Sequence, residues 1–401
     1  MDILKLVFIF TIIVVIMKLR KPLHISVLLG SIATILLYGI NFAEIIQALR
    51  LGVFGSSTIN LVLAFYTITF LQRMLEKRNH LILAEQSLTN LFNSRRVNAM
   101  VAPFVIGLLP SPGAVLIAAP IVDKAADDSL DLAERTFVTS FFRHISEAFV
   151  PTYATILLAL NLSGIDMTQF VIFMVPMAIL LFILGYVFYV RKIPAMKNKL
   201  DGIDKKKEIK NLITSLWTIL LTILVILVFK IPVYIGAISV IVLSFFINRF
   251  SVKEIKPMFY TAFEKRLILT TIAIMVFKEL LTISGVIERL PSYFSGLPIS
   301  PVIVFGIIFF LGTLIAGAQA MIALALPLAF ATITDGGLAL LIFIMCMTYI
   351  AMQISPTHIC LAIITEHNEI PFTSLVAKTM PVLVTFIVLS SLYSYLLYML
   401  I

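Results

Sequence analysis

The chain has 401 residues, 61% of them hydrophobic and only 13% charged. Soluble domains carry about 25% charged residues, whereas here apolar stretches of about 18 residues or more recur from end to end, each able to cross a ~30 Å hydrocarbon core as a helix. This excludes a separate soluble domain. The net charge of +9 sits in loops between apolar stretches, so it points to membrane topology and anionic lipid and not to nucleic acid.

Backbone groups in lipid must pair within the chain, so helices are the spanning elements; the alternation of a β-barrel is absent. Ten spanning helices are expected, at about 3–19, 23–40, 56–74, 136–160, 168–190, 211–229, 232–248, 267–287, 338–365 and 374–400. The first is followed, not preceded, by Lys18, Arg20 and Lys21, so it reads as a retained helix and not as a signal peptide. Cys346 and Cys360 are the only cysteines. They lack metal-ligand spacing to each other or to histidine and read as small packing residues.

Two further apolar stretches, 97–122 and 301–331, decide the fold. Val97 to Leu109 would give only ~20 Å of helix, and Pro110-Ser111-Pro112-Gly113 then breaks it, because proline lacks an N–H donor and disfavours helix at the preceding residue. Ala114 to Val122 leads back to Asp123 and Lys124, so the stretch reads as a re-entrant hairpin. If both stretches re-enter, 24 of the 30 lysines and arginines fall on one side of the membrane. That side is the cytoplasm, and both termini face outward.

Internal repetition extends the reading. Gly113 to Pro120 matches Ala320 to Pro327, and Val150-Pro151-Thr152-Tyr153 matches Ser355-Pro356-Thr357-His358. Pro151 and Pro356 lie 205 positions apart, as do Gly107 and Gly312. Pro22 and Pro232 each open a second helix, and Glu44 and Glu254 each sit in the amphipathic connector after it. The expected architecture is an all-α membrane protein of two inverted repeats, 1–190 and 211–401, joined by a basic linker at 191–210. Each repeat has three helices, a hairpin (97–122 or 301–331), a broken helix (136–160 or 338–365) and a final helix (168–190 or 374–400). Interrupted helices in inverted repeats place a binding site near the midplane and suit alternating access.

The breaks supply the candidate site. Half-helix N-termini attract anions, and freed carbonyls and hydroxyls suit Na⁺. The candidate substrate and ion contacts are Ser111, Pro112, Gly113, Pro151, Thr152, Gln319, Ser355, Pro356, Thr357 and His358, with Thr152 and Thr357 as Na⁺ contacts. Ionisable residues within spans add Arg143, His144 and Glu147. Arg143 and Glu147 at i, i+4 form either a neutralised intrahelical pair or an anion and proton site; His144 either titrates near neutral pH or packs. Motifs for intramembrane metalloproteolysis (His-Glu-x-x-His), a Gly-x-Ser-x-Gly elbow and a phosphate-binding Gly-x-x-x-x-Gly-Lys loop are absent from the sequence, so an enzyme is not expected. An anion channel or exporter-type pore is the alternative class.

Leu109 to Ala114 and Ile354 to Leu361 resemble a family of archaeal and bacterial integral membrane proteins of unknown function. That family is similar to the gluconate permeases, within the ion-transporter superfamily of citrate, dicarboxylate and arsenite carriers. The resemblance spans nearly the whole chain. It implies a multi-pass protein of the prokaryotic plasma membrane, a homodimer with scaffold and moving parts, and ion-coupled carriage of a small organic anion such as a sugar acid or carboxylate. It implies no cofactor beyond a coupling Na⁺ or H⁺. One departure stands out: dicarboxylate carriers have Ser-Asn-Thr at both hairpin tips, where this chain has Ser111-Pro112-Gly113 and Gly317-Ala318-Gln319.

Overall fold

The computed structural model describes residues 2–19, 21–91, 94–108, 114–126, 129–195, 204–294 and 298–401, which form α-helices joined by short turns, with no strand among the described residues. Helices α1 (Asp2–Lys18) and α2 (Leu23–Tyr38) lead into α3 (Phe42–Phe54) and α4 (Ser56–Lys77). Then come α5 (His80–Leu91), α6 (Arg95–Gly107), α7 (Ala114–Ala126), α8 (Leu132–His144), α9 (Ala154–Ser163) and α10 (Met167–Phe188). A similar order of long and short pieces follows in α11 (Lys205–Phe229), α12 (Val233–Ile247), α13 (Val252–Thr261), α14 (Lys265–Ile283) and α15 (Val286–Phe294). The chain ends with α16 (Pro301–Ala316), α17 (Ala318–Thr332), α18 (Gly337–Met352), α19 (Ile359–His367) and α20 (Phe372–Leu400).

Local chemistry sets these boundaries. Pro22 and Pro232 immediately precede α2 and α12, where a missing N–H costs nothing because first-turn donors have no intrahelical partner. Asn41 with Glu44, and Ser251 with Glu254, form matching capping boxes on the connectors α3 and α13. A third box, Asp131 with Glu134, starts α8. Each box satisfies two donors that would otherwise face an apolar surrounding.

Contacts come in corresponding pairs. Helix α2 packs on α14 and α12 on α4; α6 packs on α8 and α16 on α18; α7 meets α19 and α17 meets α9. The two halves of the chain are therefore interlocked and do not sit side by side. Gly52 permits one such approach: a Cβ there would lie 2.6 Å from the Cα of Val276 on α14.

Among the described residues, four stretches are long and apolar enough to cross a membrane unaided: Phe42–Lys77, Met167–Phe188, Lys205–Phe229 and Phe372–Leu400. A fifth is α14 with α15, bent by 69° where Gly285 takes φ +67°. Six further apolar helices have 10–17 residues. Large apolar side chains such as Leu36, Phe54, Phe246 and Leu400 stand exposed on outer faces, as lipid contact allows and water would not. Inside, threonine and serine hydroxyls return to the carbonyl one turn back, as in Thr34 to Gly30 (2.8 Å) and Thr222 to Thr218 (2.7 Å). The chain is a multi-pass membrane protein.

Several boundaries differ from the sequence reading. The segment 73–96, read as a loop, contains α5, and 267–287 ends early at Ile283 before α15. Lys205 to Lys210, assigned to the basic linker, already belong to α11. Lys378 lies in α20, where its ammonium bonds Asp131 (2.7 Å) and Glu134 (3.2 Å) of the α8 cap. Burial alone would raise both carboxyls, but the lysine hydrogen bonds outweigh it and lower them.

Two predictions follow from this packing. Gly52→Leu forces α3 away from α14 and should cost about 1–3 kcal/mol through overpacking, read as a lower Tm in detergent; an unchanged Tm would contradict the α3–α14 contact. The second concerns Glu254, which joins α13 to Arg78 at the end of α4 (2.7 Å). The Arg78 hydrogen bond, then those from Ser251, hold its carboxyl down at about 2, against an ordinary 4.5. A lowered carboxyl stabilises above its unfolded value and loses that effect as pH falls through its folded value. Glu254→Gln should therefore lower Tm at pH 7, and the gap to the parent should narrow between pH 4.5 and 2. A gap independent of pH would exclude the ion pair as its cause.

Candidate functional site

The first break lies between α8 and α9. Helix α8 ends at His144, a single 3₁₀ turn covers Ile145–Ala148, and Pro151 keeps Val150 out of helical conformation before α9 resumes at Ala154. The Ser146 hydroxyl donates to the Gly107 carbonyl at the end of α6 (2.6 Å), and the Tyr153 hydroxyl donates to the same carbonyl. A Cβ on Gly107 would lie 2.0 Å from the Arg143 carbonyl oxygen, so only glycine lets α6 approach α8 so closely.

The second break lies between α18 and α19. Helix α18 ends at Met352, Pro356 keeps Ser355 from resuming it, and α19 starts after His358. The Ser355 hydroxyl donates to the Leu314 carbonyl near the end of α16 (3.1 Å) and lies 2.8 Å from the Thr357 hydroxyl. Helix α16 turns into α17 at Gly317, with φ +84°, and the open side of that glycine faces the Thr357 hydroxyl. Each break is thus fastened by hydroxyls to carbonyls at the end of the helix that precedes the neighbouring turn.

The two breaks meet. The rings of His144 and His358 pack edge to face with centroids 4.7 Å apart. Arg143, 1% exposed, is ion-paired to Glu147 one turn on. His144 Nε2 lies 3.9 Å from the same carboxylate oxygen. Cys360 completes the group: ligating atoms of His144, Glu147, His358 and Cys360 all lie within 4.8 Å of one another. His144 Nδ1 is 2.6 Å from the Ser140 carbonyl. A carbonyl only accepts, so Nδ1 carries the proton and Nε2 presents a lone pair. That Nε2 is buried with no hydrogen-bond partner.

The other expected site residues divide. Ser111, Pro112 and Gly113 lie outside the described residues. Pro151 and Thr152 are buried, and the Thr152 hydroxyl has no hydrogen-bond partner. Gln319 occupies the first turn of α17, and its buried Nε2 also has none. Ser355 is buried, while Pro356 and Thr357 are exposed and His358 is half-buried. The structure gathers His144, Glu147 and His358 in one group and Ser355 with Thr357 in another. Sequence reasoning missed Ser146, Tyr153 and Cys360. Tyr153 could have been found as the repeat counterpart of His358. Cys360, read as a small packing residue, is buried, and its thiol also lies within 4.8 Å of ligating atoms of His144, Glu147 and His358, whereas Cys346 is enclosed in α18. A mostly apolar cavity of about 880 Å³ between α16, α18 and α20 is lined by Phe310, Phe343 and Tyr395, not by the break residues.

No curated protein matches the chain. A solved structure described as the Alcanivorax borkumensis YdaH transporter matches with a TM-score of 0.63 at 12% identity, covering 88% of this chain and 87% of that one. At that identity the likeness is one of fold. The model of the family described as "Protein of unknown function (DUF401)" matches residues 3–401, and the chain belongs to that family.

Proposed function

We propose that the protein is a secondary active transporter that carries a small organic anion, a sugar acid or carboxylate, by ion-coupled alternating access. The observation that carries this reading is the meeting of two proline breaks around His144 and His358, with Arg143 paired to Glu147 beside them. Interrupted helices tolerate apolar surroundings only where their backbone is buried in protein or lines a cavity. The N-termini of α9 and α19 offer unpaired N–H groups and partial positive charge to an anion. Arg143 adds a full charge, which Glu147 neutralises in the empty carrier. An arriving carboxylate would take over the guanidinium, and Glu147 would then hold a coupling proton. Thr152 and Thr357 are the hydroxyls for a coupling Na⁺.

The fold likeness to a transporter supports this reading. So do the charge pattern, which favours α6–α7 as a re-entrant pair, and the internal repeat, which favours the same for α16–α17 in an oppositely inserted unit. On this view the halves 1–190 and 211–401 exchange roles in opening to either side, both termini lie outside, and two chains pair through a scaffold region.

The test is thermal stability of the purified protein against organic and inorganic anions, each with Na⁺, with K⁺ and at two pH values. A ligand that binds only the folded state stabilises by about 2.7 kcal/mol at 100 times its Kd. One anion class should raise Tm. A rise that needs Na⁺ assigns sodium coupling, and one that needs low pH assigns proton coupling, with His358 or Glu147 as the carrier. No rise with any anion would remove the anion-carrier reading. In Thr152→Ala and Thr357→Ala, the Na⁺ effect should weaken several-fold; an unchanged Na⁺ effect in both would exclude those hydroxyls as ion contacts.

A further inference from the structure

We infer that His144, Glu147, His358 and Cys360 form a binding site for a divalent transition-metal cation of the Zn²⁺ type. The inference goes beyond the anion-carrier reading and does not rest on it. The chemistry of the donors points to such an ion. Two imidazoles, a carboxylate and a thiol make the borderline-soft set that selects zinc or cobalt over Na⁺, Mg²⁺ or Ca²⁺, which prefer all-oxygen shells.

Three features favour a built site. First, the four ligating atoms come within 4.8 Å of one another from two separate breaks, residues 144–147 and 358–360. A tetrahedral zinc shell needs ligand separations of about 3.3–3.8 Å, given Zn–N and Zn–S bonds of about 2.0–2.3 Å. Side-chain movements of about 1 Å would close the shell. Second, His144 is oriented as metal-binding histidines are. Its Nδ1–H donates to the Ser140 carbonyl at 2.6 Å, which fixes the tautomer and leaves Nε2 as a bare lone pair. That Nε2 is enclosed and bonded to nothing in the protein. Third, Arg143 binds the Glu147 carboxylate in the empty site and so positions it 3.9 Å from His144 Nε2.

Charge also fits. With neutral imidazoles, the Glu147 carboxylate and a Cys360 thiolate supply two negative charges to a dication. Binding forms an S–metal bond, and the Cys360 proton leaves to solvent. Arg143, ion-paired to Glu147, adds one positive charge beside the group. Glu147 and His358 are only partly buried, so the group is open to an incoming ion.

The experiment uses the full chain, purified in detergent, stripped with chelator and titrated with Co²⁺. A tetrahedral sulfur-containing site gives visible d–d bands and a thiolate-to-cobalt charge-transfer band in the near ultraviolet. The parent should bind one Co²⁺ per chain with both signals, and Zn²⁺ should displace it. The chain has only two cysteines, so Cys346→Ser leaves Cys360 as the sole thiol. The band should persist in that variant and thereby be assigned to Cys360, even if the Cys360 variant proves unstable. Cys360→Ser should abolish the band, and His144→Gln should weaken binding at least ten-fold. No charge-transfer band in the parent, or its loss in Cys346→Ser with survival in Cys360→Ser, would overturn the site. Anion-dependent Tm shifts in Cys360→Ser report on the carrier reading separately. If they persist while the cobalt spectrum is lost, both readings stand; if they never occur in any variant while the spectrum forms, only the carrier reading fails.

Discussion

Hydrocarbon offers no partner to a freed backbone carbonyl or amide, and leaving one unpaired there costs several kcal/mol. Everything distinctive in this fold answers that constraint at two places, the breaks before Pro151 and Pro356. Each break brings side-chain hydroxyls to carbonyls at the end of a neighbouring helix. Ser146 and Tyr153 close on Gly107, and Ser355 closes on Leu314. The helices α6 and α16 must therefore end where the breaks are. The close approach at Gly107 and the positive φ of Gly317 are the backbone consequences. The polar interior of the protein begins as a solution to a backbone problem.

Geometry is paired between the two halves, but charge is not. At the shared offset of 205 positions, Arg143, His144 and Glu147 correspond to Thr348, Tyr349 and Met352. One half brings a cation, an anion and an imidazole. The other brings His358 and Cys360 from the far side of its own break. A repeat alone would give a symmetric cradle. The substitutions make it directional, with ionisable groups concentrated on α8 and the turn after it. This matters energetically, because an isolated charge in such a place would be costly. The ion pair of Arg143 with Glu147 keeps the local net charge at zero until something binds.

Much of this was legible in the sequence where the signal is local. Proline followed by threonine in an apolar stretch marked both breaks, and Gly317 marked the turn between α16 and α17. The correspondence of Glu44 and Glu254 reappears as two capping boxes. The helices α5 and α15 escaped notice because they are short, and charged or proline-containing segments of that kind read equally as loops. The proximity of Cys360 to His144 and Glu147 escaped because these lie more than 200 positions away, across the interlock of the halves. Spacing along a chain reports ligands only when they share one element, and these come from two.

Anion and cation chemistry therefore lie side by side at the meeting of the breaks. Half-helix N-termini and Arg143 favour negative charge, while the lone pair of His144 Nε2 and the donors beside it favour a metal ion. Glu147 touches both environments: it is bonded to Arg143 and lies 3.9 Å from His144 Nε2. Whatever engages Glu147 on one side changes its availability on the other. An anion that takes the guanidinium frees the carboxylate for a cation, and a cation that takes the carboxylate frees the guanidinium for an anion. By linkage the two effects are equal in size. A single carboxylate on the turn after α8 is thus placed to couple two ligands of opposite charge, without any larger rearrangement of the fold.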